Sequence, residues 1–334
     1  MRNAMTLGWA LVLAAGCQAG CSANPTTRPG PFHAADGLAA CDADAGTPPV
    51  DAGEPSSDAG ATADAGAPDA GPLPAPDHAF RVGAWNIEQF PMTATTSERV
   101  APLIAEHFDL LGVEEITDPA PFHALAAQLP GYRSIVSFES GFIRVGFLYR
   151  SDRVEVTNID RLFTDDDFAF IRAPLKADVR VFDEAGETVF DFVFVVVHLK
   201  AQPDAESRMR RAAAMVELEA WLSAELAAGA EQDYVIVGDF NDALLDPRTE
   251  NVFTPILDRP DLYRFLTLPN EALGEYSYIP FRSMIDHILV TNDALAEYGE
   301  GTTEVLALDA TIPDYRAIIS DHRPVLARFA LPAR

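Results

Sequence analysis

The chain has 334 residues, of which 48% are hydrophobic and 22% charged, and its formal net charge is −27 at pH 7. This length suits one large domain or two small ones. So acidic a protein is not built to grip duplex DNA over a broad surface, although metal ions can reverse the local field at a phosphate site. The three cysteines, Cys17, Cys21 and Cys41, all precede the predicted folded part, which excludes disulfide and thiolate chemistry there.

Residues 1–17 have the layout of an export signal. Arg2 precedes the apolar run MTLGWALVLAAG, which is too short to span a bilayer comfortably. The run ends in LAAGC, which resembles a bacterial lipoprotein processing box with Cys17 as the lipidated residue. Ordinary signal cleavage that leaves a free cysteine is the alternative. We therefore expect an exported protein that is either secreted or held at the outer membrane, cell surface or periplasm by this lipid anchor only.

Residues 18–78 are predicted to form a disordered tether. The triplet DAG occurs five times among Pro, Ser, Thr and Ala, and almost nothing in this segment could form a core. Such a spacer would let the folded domain stand away from a membrane. The domain itself, residues 79–334, keeps 42 acidic residues against 22 lysines and arginines, a net charge of −20.

From Ala79 onward, short apolar runs alternate with helical patterns. Several runs are continuous and rich in Val and Ile, as strands buried on both faces should be. The predicted strands are FRVGAW, LLGVE, IRVGFLYR, LKADVRV, FVFVVV, YVIVG, MIDHILV, TEVLAL and PVLARF. This content predicts an α/β sandwich in one domain.

Two amphipathic helices interrupt the strands. Thr95 and Glu98 have capping-box spacing, which predicts a helix that starts there and runs toward His107. A second helix is predicted over roughly Ala205–Ala228, with Gly229 as its stop signal. Its apolar stripe is interpreted as core.

Polar residues stand where several apolar runs begin or end, which is where buried strands commonly deliver functional side chains. They are Asn86 in WNIE, Glu114 and Glu115 in VEEI, His198 and Lys200 in HLK, Asp239 and Asn241 in GDFND, and Asp286 in SMIDHILV. Because adjacent strand residues point to opposite faces, only one of the two glutamates is expected to face a shared site. Each residue alone could instead cap a turn or serve as a hydrogen-bonded structural group.

The segment ISDHRPV carries a neighbouring pair, Asp321 and His322, just before a strand-like run. A regular strand could not aim both side chains at one site. A shared function therefore requires irregular backbone at residues 320–322, or two side chains that reach inward from a strand entry.

Taken in order, WNIE, LLGVEEI, VVVHLKA, VIVGDFND, SMIDHILV and ISDHRPV resemble the endonuclease/exonuclease/phosphatase superfamily, in particular its pancreatic deoxyribonuclease-like branch. The resemblance covers about Phe80–Phe329. It implies a four-layer α/β sandwich, in which two mixed β-sheets are flanked by helices. It also places the site at one edge of that sandwich.

The resemblance further implies a role for each position. Glu115, Asn86 and Asp321 would hold a divalent cation, Mg²⁺ or alternatively Mn²⁺ or Ca²⁺. The catalytic groups would be His322 oriented by Asp286, His198 near the leaving group, and Asp239 with Asn241 positioning phosphate and water or holding a second ion. His322 would act as general base or as the group that polarises the phosphate. Arg172 and Lys200 would contact the substrate phosphate, although a surface salt bridge is an alternative for Arg172.

One departure concerns His198. The branch supports this histidine with a carboxylate, and Ile143 stands near that place in this chain.

The resemblance implies an exported phosphodiester hydrolase that uses metal-activated water, a nuclease of low sequence specificity acting as a monomer on nucleic acid. A sphingomyelinase-like or inositol-phosphate phosphatase activity is the alternative, and a lipid-active enzyme should show an exposed apolar loop. The nearest candidate is FTDDDFAFI, around Phe168 and Phe170. A third possibility, an inactive binding module, predicts the loss of at least one ligand, and none of the principal positions is lost.

Overall fold

The computed structural model describes residues 79–138, 143–229 and 231–331. The predicted export signal, the predicted lipidation at Cys17 and the predicted tether lie outside the described residues. Within these ranges, no helix is both long enough and apolar enough to cross a membrane.

Twelve strands and seven α-helices are found in the described ranges. The first half contains β1 (Phe80–Phe90), α1 (Thr96–His107), β2 (Leu110–Ile116), α2 (Pro119–Gln128), β3 (Tyr132–Val136), β4 (Arg144–Arg150), β5 (Val154–Arg161), β6 (Leu175–Phe182) and β7 (Thr188–His198). The second half contains α3 (Ala205–Ala228), β8 (Tyr234–Asp239), α4 (Thr254–Leu257), β9 (Tyr263–Phe265), α5 (Leu268–Ala272), β10 (Asp286–Thr291), α6 (Ala294–Tyr298), β11 (Thr302–Val305), α7 (Tyr315–Ile318) and β12 (Val325–Phe329). A 3₁₀ turn covers Leu308–Ala310.

The strands form two six-stranded sheets. One has the order β11-β12-β1-β2-β4-β3, and the other has the order β5-β6-β7-β8-β10-β9. Both are mixed, because β1 pairs with β2 and β7 pairs with β8 in parallel, whereas the remaining pairs are antiparallel. Parallel pairing brings the ends of β1 and β2, and those of β7 and β8, to the same edge of their sheets.

Apolar residues on both faces of each sheet explain the layered packing. In β7, Phe192 and Phe194 point into the core between the sheets, whereas Val193 and Val195 point outward to a second core with α3. The first sheet likewise packs α1 and α2 against its outer face. The result is a four-layer sandwich of two mixed sheets between helices, which confirms the predicted fold class.

The helix boundaries follow local signals with one exception. Helix α3 begins after Asp204, whose side chain accepts the Ser207 N–H at 3.0 Å, and ends at Gly229 in a left-handed conformation with φ 72°. Helix α1 ends at His107 as predicted. The predicted capping box at its start is wrong, because Thr95 has near-helical dihedrals and its side chain makes no capping bond. An N-cap residue needs an extended backbone for its oxygen to reach the helix N–H groups.

Candidate active site

The strand register gathers the polar residues at one edge of the sandwich. Within the first sheet Asn86 pairs with Glu114, and within the second sheet Asp239 pairs with both His198 and Asp286. A hydrogen bond of 3.0 Å from Asn86 Nδ2 to Asp239 Oδ2 joins the two sheets. Residues separated by some 150 positions thus share one site.

His322 and Asp286 form a buried pair at the centre of this edge. His322 Nδ1 lies 2.8 Å from Asp286 Oδ2, and the two residues are 5% and 0% exposed. The bond leaves His322 Nε2 on the other side of the ring, 3.8 Å from Asp321 Oδ1. Burial lowers the pKa of His322, but the carboxylates of Asp286, Asp239 and Asp321 outweigh that effect and raise it to about 10.

The Asp321–His322 pair lies in irregular backbone, because β12 begins only at Val325. Ser320 holds this segment. Its hydroxyl donates to the Asn86 carbonyl at 2.6 Å and accepts the His322 N–H at 2.9 Å. Because the backbone is irregular, the side chains of Asp321 and His322 approach each other. In a regular strand they would point to opposite faces.

Two buried aromatic side chains fix the backbone of His322. The His322 carbonyl accepts a hydrogen bond of 2.7 Å from the Tyr315 hydroxyl and one of 3.3 Å from Trp85 Nε1. The rings of Trp85 and Tyr315 also stack, with centroids 6.5 Å apart. The position of the imidazole is therefore set by the core.

Asp239 is held by two donors. Its Oδ2 accepts from Asn86, and its Oδ1 accepts the backbone N–H of Asn241 at 2.9 Å. Asn241 occupies a left-handed turn, φ 55°, directly after β8. Burial raises the pKa of Asp239 to about 7, and repulsion from Asp286 adds to the rise, while His322 opposes it.

His198 ends β7 with its ring almost fully buried. Nε2 lies 3.7 Å from Asp239 Oδ2 and 4.0 Å from Glu115 Oε1. Nδ1 is buried and has no hydrogen-bond partner within the part of the chain that the structure describes. Burial lowers the pKa of His198 well below its ordinary value, so the imidazole is neutral at physiological pH.

The expectation that only one of two adjacent glutamates faces the site is wrong. Glu115 has a positive φ of 63°, and the pairing of β2 with both neighbours shifts register there, which breaks the alternation of side chains. Glu115 Oε2 accepts the Gln89 N–H at 3.1 Å, and its Oε1 faces His198. Glu114 lies beneath the site, fully buried.

Glu114 is unusual because both of its carboxyl oxygens are buried and lack a hydrogen-bond partner among the described residues. Burial raises its pKa well above the ordinary value, and the charges of Asp286 and Asp239 raise it further. Asp286 Oδ1 is likewise buried and without a partner in the described ranges. Glu114 is among the polar residues that the sequence places at the end of an apolar run, but its complete burial beside the site was not predicted.

Glu88 joins the acidic group beside Asp321. Its Oε2 accepts the Asp321 N–H at 2.9 Å, and its own N–H donates to Asn86 Oδ1 at 3.0 Å. Burial raises the pKa of Glu88 to about 7, with repulsion from Asp321 as the next cause and a smaller contribution from Glu115. Three carboxylates therefore repel one another at the open side of His322.

The two predicted phosphate contacts have different surroundings. Arg172 Nη1 donates to the carbonyls of His198 and Leu199, at 3.2 and 3.3 Å, so it lies at the end of β7. Lys200 Nζ donates to the adjacent Ala201 carbonyl at 2.9 Å. Arg172 is thus fixed against the end of β7, whereas the Lys200 ammonium bonds to the adjacent residue of its own loop.

A buried ion pair behind the site was not predicted. Arg211 on α3 donates from Nε to Asp242 Oδ2 at 2.8 Å, and the side chains are 4% and 7% exposed. Arg211 Nη1 also donates to the carbonyls of Lys200 and Gln202, both at 2.8 Å. Arg211 therefore ties the loop after β7 and the loop after β8 to one helix. An arginine on the buried stripe of α3 was the available signal.

The residues of the site fit a divalent cation. Asp239, Asp286 and His322 offer ligand atoms within 4.8 Å of one another, but the bond between Asp286 and His322 already uses two of these groups. The remaining oxygen ligands, including Glu115 and Asp321, belong to the type that hard cations prefer. Burial raises the pKa values of Glu88, Glu114 and Asp239, and repulsion from neighbouring carboxylates raises them further; a bound cation would relieve that repulsion.

Comparison with known proteins agrees with this geometry. The sequence profile of the Endonuclease/Exonuclease/phosphatase family matches residues 83–322. The chain belongs to this family, and it is therefore a hydrolase that acts on phosphoester bonds. No curated protein matches the sequence.

Solved structures share the fold at low sequence identity. The human Nocturnin catalytic domain with bound sulfate has a TM-score of 0.56 at 17% identity, covering 76% of this chain and 95% of that one. D. rerio TDP2 complexed with a single-stranded DNA product has a TM-score of 0.55 at 16% identity, covering 76% and 99%. The Bacteroides thetaiotaomicron mannosyl-6-phosphatase Bt3783 has a TM-score of 0.51 at 16% identity, covering 74% and 98%.

Proposed function

We propose that this protein is an exported, divalent-metal-dependent phosphodiesterase whose main substrate is nucleic acid, cleaved with low sequence specificity. The observation that carries the proposal is the 2.8 Å hydrogen bond between His322 and Asp286, set beside Asp239 and beside Glu114, whose carboxyl oxygens have no hydrogen-bond partner among the described residues. A second buried histidine, His198, supports the nuclease-like reading because it offers another donor near the phosphate.

His322 acts as the group that polarises the phosphate. Asp286 holds Nδ1, so Nε2 is presented to the substrate. With a pKa raised to about 10, the ring is an imidazolium at neutral pH and donates a hydrogen bond to a non-bridging phosphate oxygen. Asp286 fixes the orientation of the ring and stabilises its charge.

Asp239 takes the proton from the attacking water. Its pKa of about 7 matches the operating pH of a general base. The N–H groups of Asn86 and Asn241 hold its two oxygens in place. His198 stays neutral, so it contributes a hydrogen bond near the leaving group and does not compete for the proton.

Glu115, Asn86 and Asp321 would hold Mg²⁺, or alternatively Mn²⁺ or Ca²⁺, and Glu88 lies close enough to Asp321 to assist. Bound there, the cation would neutralise charge on the scissile phosphate and lower the pKa of a water molecule. Its positive charge would also relieve the repulsion that adds to burial in raising the pKa values of Glu88 and Asp239.

A phospholipid or an inositol phosphate is the second candidate substrate. The loop FTDDDFAFI supplies two partly exposed apolar side chains, Phe168 and Ile171, at 51% and 45%. A membrane-docking loop should present such groups. Arg210 covers the Phe168 ring at 5.3 Å and bonds to its carbonyl, which fastens the loop to α3. The loop is also acidic, which weakens it as a membrane-docking element, so lipid remains the second candidate.

A substrate panel tests the proposal. The full chain and a His322→Ala variant are incubated with plasmid, single-stranded DNA, RNA, sphingomyelin and inositol phosphates, with Mg²⁺ or with EDTA. We expect cleavage of nucleic acid that requires both Mg²⁺ and His322. Intact nucleic acid beside EDTA-sensitive cleavage of the lipid or the inositol phosphate would replace the nuclease assignment, and turnover of none of them would favour a binding module.

We also propose that the protein is exported as a monomer and is anchored to a membrane through Cys17. The support is the apolar run before Cys17 and its LAAGC ending. Incorporation of labelled fatty acid into the wild type, and its loss in Cys17→Ser, would be the expected result. Equal labelling of the two forms would contradict the anchor.

A further inference from the structure

A short turn next to the catalytic histidine is rigidly held. Tyr278 and Ser283 exchange backbone hydrogen bonds of 2.9 and 3.2 Å across the turn. The turn is also bonded to both sides of His322, since the Ile279 N–H donates to the Asp321 carbonyl at 2.9 Å and the Arg323 N–H donates to the Ser277 carbonyl at 2.7 Å. The position of its tip is thereby fixed relative to the catalytic imidazole.

Three rings form a series that leads outward from the site. The Tyr278 ring lies 4.8 Å from the His322 ring, measured between centroids, with an interplanar angle of 43°. Phe281 continues the series at 5.8 Å from Tyr278, with an angle of 32°. These separations are within the range in which aromatic groups interact favourably. The charges of Asp321, Glu88 and Asp239 all act on the Tyr278 hydroxyl, which places it at the acidic side of the site.

The outermost ring is left open to solvent. Phe281 is 79% exposed, although it sits on a turn whose backbone bonds are satisfied. A single exposed apolar side chain is ordinary on a protein surface. Phe281 differs from such a residue because it continues an aromatic series that starts at the catalytic histidine.

The neighbouring charges indicate what could lie on Phe281. Arg282 follows it, is exposed, and lies with its guanidinium 4.8 Å from the Tyr276 ring centroid. A nucleotide offers both a flat ring for Phe281 and an anionic phosphate for an arginine. An inositol phosphate has no flat ring, and a lipid surface would need a wider apolar patch than one side chain flanked by Arg282 and Pro280.

We propose that Tyr278 and Phe281 form a stacking subsite for a nucleobase of the nucleotide adjacent to the scissile phosphate. This inference rests on the proposed nuclease function and narrows its substrate to strands with unpaired bases. Bases in a duplex are stacked on one another and cannot cover an exposed ring without being extruded. The net charge of the domain also disfavours the broad electrostatic contact that duplex binding uses.

The test compares two oligomers of equal length, one of single-stranded DNA and one with the same backbone but abasic residues. Steady-state kinetics with Mg²⁺ are measured for the full-length wild type and for Phe281→Ala and Phe281→Trp. Leu273→Ala is the control, because Leu273 is equally exposed at 80% and is not part of the aromatic series. We expect Phe281→Ala to raise KM for DNA about tenfold with little change in kcat. Phe281→Trp and Leu273→Ala should keep the wild-type KM, and the abasic oligomer should be insensitive to all three changes.

Any of the following results would overturn the inference. An unchanged KM for DNA in Phe281→Ala, or an equal rise for both oligomers, would show that no base stacks there. Loss of binding to vesicles of phosphatidylcholine and sphingomyelin in Phe281→Ala, with the DNA kinetics unaltered, would assign the ring to a lipid surface. If the wild type hydrolyses neither oligomer, the proposed nuclease function fails as well. If the wild type hydrolyses both oligomers with equal KM, the stacking subsite is contradicted and the proposed nuclease function stands.

Discussion

The two ends of the first sheet treat buried carboxylates in opposite ways. Where β2 begins, Asp109 is fully buried and is bonded by three arginines, Arg81, Arg150 and Arg153, at 2.9 to 3.5 Å. Where β2 ends, roughly 17 Å away along the strand, Glu114 is equally buried and neither oxygen has a partner in the described ranges.

This difference between Asp109 and Glu114 distinguishes a carboxylate with a structural role from one that lies in a functional site. A buried charge is tolerated when cations of the protein compensate it, as the arginines do for Asp109. Asp239 and Glu114 pair with no arginine among the described residues, and burial together with repulsion from Asp286 raises the pKa of both, which makes their charged forms costly. Such a cost persists where function requires it. We therefore interpret the Asp109 end of β2 as a structural brace. We interpret the Glu114 end as part of a site that binds a cation from solution.

The largest effect on activity is expected at the pair that orients the imidazole. Asp286→Asn keeps the shape of the side chain but removes the charge that stabilises the His322 imidazolium. We expect kcat/KM on single-stranded DNA to fall roughly 10²–10³-fold, the range for loss of one hydrogen-bond donor to developing negative charge. Circular dichroism should show an unchanged fold. Activity within a few-fold of the wild type would contradict the assigned role.

A substitution at the other end of β2, at Asp109, should lower stability and leave catalysis unchanged. Asp109→Ala leaves three arginines without their shared carboxylate, and we expect the free energy of unfolding in urea to drop by about 3 kcal/mol. The kcat/KM of the folded fraction should stay near the wild-type value. Asp152→Ala is the matched control, because Asp152 bonds Arg150 at a 55% exposed position and should cost less than about 1 kcal/mol. Equal effects of the two substitutions would remove the distinction between brace and surface pair.

The buried ion pair between Arg211 and Asp242 is expected to affect both stability and catalysis. Arg211→Met should lower kcat by up to about 10²-fold, because the two loops that carry catalytic residues lose their common anchor. Arg211→Lys retains the charge but fewer of the hydrogen bonds, so it should recover part of kcat. A purely structural role predicts lower stability with an unchanged kcat for the folded protein, which a combined urea and kinetic measurement would reveal.

The smallest expected effect is a dependence of the stability of the metal-free protein on pH. The pKa values of Glu88 and Asp239 are raised to about 7, from ordinary values of 4.5 and 3.8. Between those values the folded state binds more protons than the unfolded state, so stability falls as pH rises toward 7. We expect a higher Tm in EDTA at pH 5.5 than at pH 7.5, and a larger rise on addition of Mg²⁺ at pH 7.5. A Tm in EDTA that increases over this interval would contradict the account.

The sequence identified the interior of both sheets but missed most of their edges. Strands β3, β5 and β9 were not predicted, and all three lie at a sheet edge. Edge strands expose polar side chains and need no continuous apolar run, as the mostly exposed pattern of β5 illustrates. The helix over 205–228 was predicted with its correct ends, because Gly229 provides a strong stop signal.

Residue types in the site were readable from the sequence, whereas backbone irregularities were not. The alternation of side chains along a strand predicted that Glu114 and Glu115 would lie on opposite faces. This rule does not hold here, because Glu115 has a left-handed backbone conformation. The Asp321–His322 pair, in contrast, already required irregular backbone, and the structure has it. Tertiary contacts such as Arg211 with Asp242 depend on which helix face meets which loop, and no local pattern encodes that.

The central claim is that the acidic end of the site, with Glu115 as a ligand, holds a divalent cation. Isothermal titration of Mg²⁺ into the metal-free full chain tests it most directly, with Glu115→Gln as the site variant and Asp152→Asn as a control that also removes one negative charge. We predict saturable binding to the wild type, much weaker binding to Glu115→Gln, and unchanged binding to Asp152→Asn. No saturable binding to the wild type, or equal affinity in Glu115→Gln, would contradict the claim.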